Sequence, residues 1–181
     1  MVAAVVLAAG ASTRFGSPKQ RLLLPDVLAR VRAAASIGEI VVVLGAHEAD
    51  PGGHRVVHCA GWEAGPGASL RCGLAVLGAE VEAAVAVLAD GPNLAPEAIE
   101  RVVEAWRATQ APLVAACYAG VRGHPLLVDR SAWEDVPDEG LRGHLPLLVP
   151  CDDLGAPGDV DAPADLPGRF RDRSGEPMQD R

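Results

Sequence analysis

Three predominantly apolar runs, at residues 2–8, 39–44 and 83–89, alternate along the chain with stretches whose apolar residues recur at helical spacing. A glycine follows closely after each run, and this combination favours strands buried on both faces of a parallel sheet. The most regular helical pattern lies at residues 96–109 and begins with a proline, which suits the first turn of a helix. Further predicted helices cover residues 25–36 and 68–77, and further predicted strands cover residues 55–59, 113–117 and 121–128.

This alternation of strands and helices predicts an α/β fold, a Rossmann-like three-layer α/β/α domain with a mostly parallel sheet. Ligands of such sheets bind at the carboxyl ends of the strands. Two polar features lie at such ends: the loop after the first strand, and Asp90 after the run at 83–89. The predicted domain spans residues 1–168. The polar residues 169–181 are predicted to form a disordered tail.

Composition narrows the possible functions. Of the 181 residues 49% are apolar, enough for a packed core, and the formal charge of −8 disfavours a protein that binds nucleic acid. An acidic chain can still bind a nucleotide, because a few cations, backbone amides and a metal ion are sufficient. The N-terminal apolar run has no preceding basic residues and about a third of the length that spans a bilayer, so we expect neither membrane insertion nor export.

The four cysteines, Cys59, Cys72, Cys117 and Cys151, are widely spaced and form no Cys-x-x-Cys pair. The spacing therefore indicates neither a zinc ribbon nor a redox dithiol. We expect buried thiols in a reducing compartment, which fits a cytoplasmic protein.

The loop at residues 7–19 has the composition of a phosphate-binding loop. Its small residues let a ligand approach the backbone, Gly10 and Gly16 permit positive φ angles, and Arg14 and Lys19 can face the same anion. The spacing of its glycines is neither that of a Walker loop nor Gly-x-Gly-x-x-Gly. On composition alone, a glycine-rich turn with two solvated cations explains the pattern equally well.

The residues of this loop closely resemble the signature of the MobA-like nucleotidyltransferases, Leu-Ala-(Ala/Gly)-Gly-x-Ser-x-Arg-Met-Gly-x-x-Lys. Phe15 stands where that family usually has Met, and the chain after Lys19 lacks about one turn of loop. Residues 65–73, 88–92, 123–125, 138–142 and 159–166 resemble later elements of the molybdenum cofactor cytidylyltransferase branch. The loop matches the signature at Leu7, Ala8, Gly10, Ser12, Arg14, Gly16 and Lys19.

The resemblance implies a nucleotide-diphospho-sugar transferase-like fold and a Mg²⁺- or Mn²⁺-dependent enzyme that transfers CMP from CTP to the molybdenum cofactor, molybdopterin, and releases pyrophosphate. It implies Lys19 and Arg14 as catalytic residues, Asp90 and Asp161 as metal ligands, and His124 on the acceptor side. It also implies a molybdenum hydroxylase or its maturation factor as a protein partner. The implied nucleotide-binding residues are Leu7, Ala8, Ala9, Gly10, Ser12, Gly16, Ser69 and Arg71.

Several alternatives stay open at this stage. Asp90 before Gly91-Pro92 is also a common turn former, and Asp161 is also placed to cap a helix starting near Pro163. His124 is equally well explained as a packed or solvent-facing residue. The nucleotide could be GTP, and the acceptor could be a sugar or polyol phosphate. The shortened loop after Lys19 also fits a catalytically silent nucleotide-binding or cofactor-carrier protein.

Overall fold

A computed structural model describes residues 1–171 of the chain. Four α-helices and seven strands are joined by short loops and single turns of 3₁₀ helix. The helices are α1 (Lys19–Ala33), α2 (Pro66–Leu74), α3 (Pro96–Thr109) and α4 (Gly168–Arg171). The strands are β1 (Val2–Ala8), β2 (Ile37–Leu44), β3 (Arg55–His58), β4 (Ala83–Leu88), β5 (Leu113–Tyr118), β6 (Val121–Asp129) and β7 (Leu147–Pro150).

All seven strands form one sheet in the order β3-β2-β1-β4-β6-β5-β7. β6 runs antiparallel to its neighbours β4 and β5, and every other pairing is parallel. Alternate residues of β1 point to opposite faces, where Val6 packs with α1 and α3 and Val5 packs with α2. The predicted three-layer α/β fold with a mostly parallel sheet is therefore confirmed.

Helix α1 begins six residues earlier than the sequence predicted, because Pro25 was taken as its start. Pro25 instead lies inside the helix, on its exposed side, where the loss of one helical amide donor is tolerated. The core contacts are made by a stripe that starts at Gln20 and ends at Val31. The shortened segment after Lys19 is thus continuous helix and not a loop.

The C-terminal part of the domain also differs from the prediction. β7 was missed, since it is a four-residue edge strand with mostly exposed side chains. The predicted domain boundary at residue 168 falls at the start of α4, and Phe170, which was assigned to the tail, is fully buried against Leu23 and Leu166. The packed domain therefore extends at least to residue 170. The rest of the predicted tail, residues 172–181, lies outside the described residues.

The cysteines correct a second expectation. Cys59 and Cys72 form a disulfide between the segment after β3 and helix α2, with their Cα atoms 5.8 Å apart. Cys117 and Cys151 are free and buried, as expected for thiols. Within residues 1–171, no helix is long and apolar enough to cross a bilayer.

Candidate active site

The register of the central strands brings the two predicted polar features together. β1 and β4 are parallel neighbours, and Leu7 at the end of β1 is paired with Leu88 at the end of β4. The glycine-rich loop and Asp90 therefore emerge side by side at one edge of the sheet. The segment around Val160 also reaches this edge, where the Val160 amide donates a hydrogen bond of 3.1 Å to the Asp90 carbonyl.

Two cations and two carboxylates form a network at this edge. Lys19 Nζ lies 2.8 Å from Asp90 Oδ2 and 3.8 Å from Asp161 Oδ1, and it donates to the Val160 carbonyl at 2.7 Å. Arg14 Nη1 lies 2.7 Å from Asp161 Oδ2. Each cation thus holds a carboxylate, and Asp161 connects the two pairs.

A cavity of about 220 Å³, here called the first cavity, lies above this network. Eight of the predicted site residues line it, and three lining residues were not predicted: Thr13, Gln20 and Ala89. Gln20 had a usable signal, since it is a polar residue on the buried stripe of α1, directly after Lys19. The predicted residues that line the cavity are Leu7, Ala8, Gly10, Ser12, Arg14, Lys19, Asp90 and Asp161.

Asp161 does not cap the helical turn that follows it. The carboxylate of Asp165 accepts from the amides of Asp161 and Ala162, which leaves the Asp161 side chain for Arg14 and Lys19. Its neighbour Asp159 lines a different cavity. Burial raises the pKa of Asp159, and the nearby carboxylates of Asp90 and Asp161 raise it further.

Two predicted nucleotide-binding residues, Ser69 and Arg71, are not brought to the first cavity. Ser69 is buried in α2. The guanidinium of Arg71 donates to the Val136 carbonyl and to the Asp138 carboxylate, so it anchors a loop. Their role in nucleotide binding therefore stays a prediction.

Ala9 and Gly16 support the loop without lining the first cavity. Ala9 is buried on the α2 side of the sheet, and a Cβ placed on Gly45 would come within 2.9 Å of its methyl group. The methyl group of Ala9 therefore faces Gly45. Gly16 has φ +79° and donates its amide to the Ser12 carbonyl at 3.2 Å.

A larger cavity of about 770 Å³, the second cavity, adjoins the first at Leu7. His124 lies in its wall, together with the cations Arg122 and Arg142 and a largely apolar surface. Burial lowers the pKa of His124 to about 4, and the charges of Arg122 and Arg142 act in the same direction. His124 is therefore neutral near pH 7.

The carboxylates at the first cavity fit a hard divalent cation. Asp90 Oδ1 is buried and has no hydrogen-bond partner among the described residues, although Oδ2 is paired with Lys19. Within residues 1–171, no group of three or more His, Cys, Asp or Glu side chains is placed to hold a metal. Mg²⁺ in nucleotide sites is typically held by one or two carboxylates together with substrate phosphates, which is the donor set offered here.

Fold and site together define the class of protein, a nucleotidyltransferase. The family model of the MobA-like NTP transferase domain matches residues 4–145, and the chain belongs to that family. No curated protein matches the chain in a sequence comparison.

Several solved structures are similar to this chain over most of its length. The homologue of Mycobacterium tuberculosis Rv0371c from Mycobacterium sp. strain JC1 is 28% identical, with a TM-score of 0.76 over 91% of this chain and 92% of that one. Rv0371c of M. tuberculosis H37Rv in complex with manganese is 26% identical, with a TM-score of 0.65 over 95% and 96% of the two chains. A nucleotidyl transferase from Methanothermobacter thermautotrophicus, 21% identical with a TM-score of 0.69 over 96% of each chain, shares the fold.

Proposed function

We propose that this protein transfers CMP from CTP to the terminal phosphate of the molybdenum cofactor, with Mg²⁺ or Mn²⁺, and releases pyrophosphate. The observation that carries the proposal is the position of Asp90. One of its oxygens holds Lys19, and the other is buried without a partner beside a glycine-rich loop. The Asp90 carboxylate thus binds a cation suited to phosphate through one oxygen, and its other oxygen is suited to a metal ion.

In the proposed reaction, a phosphate oxygen of the acceptor attacks the α-phosphorus of the nucleotide. The bond from that phosphorus to the bridging oxygen breaks, and pyrophosphate leaves with the electron pair. The protein contributes positioning and charge neutralisation. Lys19 and Arg14 would exchange their carboxylate partners for phosphate oxygens.

Asp90 and Asp161 would hold the divalent cation, which when bound neutralises charge on the phosphates. The manganese complex of the related Rv0371c supports the use of a divalent metal. The carboxylates also hold Lys19 and Arg14 at the cavity before the substrate arrives, so the cations need no large movement.

The second cavity is proposed as the acceptor site. It adjoins the first at Leu7, and its mostly apolar wall suits a partly apolar ring system better than a polyol. Arg122 and Arg142 offer positive charge to an anionic acceptor, whereas the neutral His124 can exchange a hydrogen bond without adding charge.

The choice of CTP is supported by the resemblance of Leu7-Ala8-Ala9-Gly10 to the cytidylyl-transferring branch and not by the contacts of Ala9. GTP as donor, or a sugar or polyol phosphate as acceptor, is the alternative within the class. The alternative of a silent binding module is disfavoured by the family match and by the paired cations and carboxylates at the first cavity. A cytoplasmic location and a molybdenum hydroxylase, or its maturation factor, as partner remain part of the proposal.

The proposal is tested by incubating the protein with molybdenum cofactor, Mg²⁺ and each of the four NTPs, and weighing the pterin product by mass spectrometry. We expect a mass gain of one CMP with CTP. A gain with another nucleotide would replace the donor assignment. Nucleotide turnover only with a sugar or polyol phosphate would replace the acceptor.

A further inference from the structure

Three successive carbonyl oxygens of the glycine-rich loop, those of residues 10–12, lie within hydrogen-bond distance of protein groups. The Gly10 carbonyl accepts from Gln20 Nε2 at 2.6 Å, and the Ala11 carbonyl is 2.9 Å from His47 Nε2. The Ser12 carbonyl accepts the amides of Phe15 and Gly16. By contrast, the backbone amides of residues 10–14 donate to no protein group in the described chain.

Because each peptide group is planar, the directions of these carbonyl groups also fix the directions of the amides that follow them. In a trans peptide the carbonyl of one residue and the amide of the next point in opposite directions. The amides of Ala11, Ser12 and Thr13 therefore point away from Gln20, from His47 and from the turn at Gly16, respectively. These three amides donate to no described protein group, and Gly10, Ser12 and Thr13 line the first cavity, so the amides are available as donors to a ligand there. Successive inward amides form a concave site for anions.

The side chain of Gln20 makes two hydrogen bonds to this loop. Its side chain is almost fully buried, with the residue 3% exposed, and both of its polar atoms are used. Nε2 holds the Gly10 carbonyl, whereas Oε1 accepts from Ser12 Oγ at 2.8 Å. Ser12 has φ +54°, a left-handed conformation that is uncommon outside glycine, and the bond from its side chain to Gln20 holds it there.

We infer that Gln20 and His47 are positioning residues, which fix the loop so that the amides of residues 11–13 bind phosphate oxygens. They act through the loop backbone, from two different elements: Gln20 from α1 and His47 from the segment after β2. The inference rests on the proposed function only in placing the phosphates of the nucleotide in the first cavity. It accounts for a buried amide side chain on a helix stripe that is otherwise apolar.

The test measures binding of inorganic pyrophosphate with Mg²⁺ by calorimetry, together with the thermal midpoint of the free protein. Gln20→Met removes both ties and keeps an unbranched side chain, and His47→Leu removes the tie to Ala11. Ser36→Ala is the matched control, because it removes the part-buried hydrogen bond that the Ser36 hydroxyl donates to Glu100 of α3, away from the loop. We expect about tenfold weaker binding in both loop variants and a change under twofold in the control.

Wild-type affinity in folded Gln20→Met or folded His47→Leu would overturn the role of that residue. An equal loss of affinity in Ser36→Ala would overturn both, since it would trace the effect to general stability. If Gln20→Met does not fold, the His47→Leu result decides. The outcome is separable from the proposed function: a wild type that binds pyrophosphate but transfers no nucleotide removes the proposed function alone.

Discussion

Lys19 and Asp90 are 71 residues apart in the chain, yet their charged groups lie 2.8 Å apart and join the start of α1 to the end of β4. Only 12% of the lysine side chain and 26% of the aspartate side chain are exposed. A pair this well shielded couples stability to function, because the removal of one partner leaves the other charge in a poorly hydrated site.

The first prediction separates the two roles of Lys19. Lys19→Met should lower the free energy of unfolding by about 1–3 kcal/mol, because it leaves Asp90 unpaired. It should also slow transfer by roughly 100-fold, through lost stabilisation of negative charge. Adding Asp90→Asn should restore much of the stability but none of the activity. Urea unfolding and the transfer rate are the measurements. A double variant as unstable as Lys19→Met would contradict the structural role of the pair.

The second prediction concerns the metal. Asp90→Asn and Asp161→Asn should each raise the Mg²⁺ concentration needed for half-maximal activity, by about tenfold, since asparagine keeps the size but loses the charge that attracts a hard cation. Asp153→Asn is the control, because Asp153 pairs with Arg101 and does not line the first cavity. Metal titrations that coincide for the wild type and the Asp90 variant would assign Asp90 to a purely structural role.

The third prediction follows from the pKa of His124, about 4 in the folded protein against an ordinary value of 6.5. Between those values the unfolded chain binds more protons, so the free energy of unfolding should fall as the pH drops from about 6.5 toward 4. The contribution is up to about 2 kcal/mol at pH 5.

His124→Asn should flatten this fall, while His144→Asn, which changes an exposed histidine, should not. Chemical unfolding at pH 5 and pH 7 measures both. The role of His124 fails if the His124→Asn protein loses as much stability as the wild type between these two pH values.

The fourth prediction concerns the base. We expect a preference for CTP over GTP of roughly 10–200-fold in kcat/KM. Ala9→Gly should leave this ratio unchanged within about twofold, because the methyl group faces Gly45 and not the first cavity. A clear rise in GTP use by the variant would show that the base lies against Ala9 after all.

Much of this architecture was accessible from the sequence. The bounds of β1 and α3 agree with the apolar run and the proline-initiated stripe. The meeting of the loop with Asp90 followed from the rule that parallel strands present their carboxyl ends at one edge. Local pattern was sufficient wherever a strand or helix was buried along most of its length.

The remaining errors have physical causes. The proline at position 25 imitates a helix start, and its tolerance inside α1 depends on an exposed face that only the packed structure defines. The disulfide depends on a contact between two segments that lie apart in the chain. Gln20 was overlooked because the predicted helix began at Pro25, which left Gln20 outside the buried stripe of α1.

The most direct test of nucleotidyl transfer is pyrophosphate release from each of the four NTPs with Mg²⁺ and molybdenum cofactor, using the wild type and Lys19→Met side by side. We expect release that requires both the metal and the acceptor, is fastest with CTP, and falls by about 100-fold in the variant. Absence of acceptor-dependent release with all four NTPs from folded wild-type protein that binds CTP would contradict it.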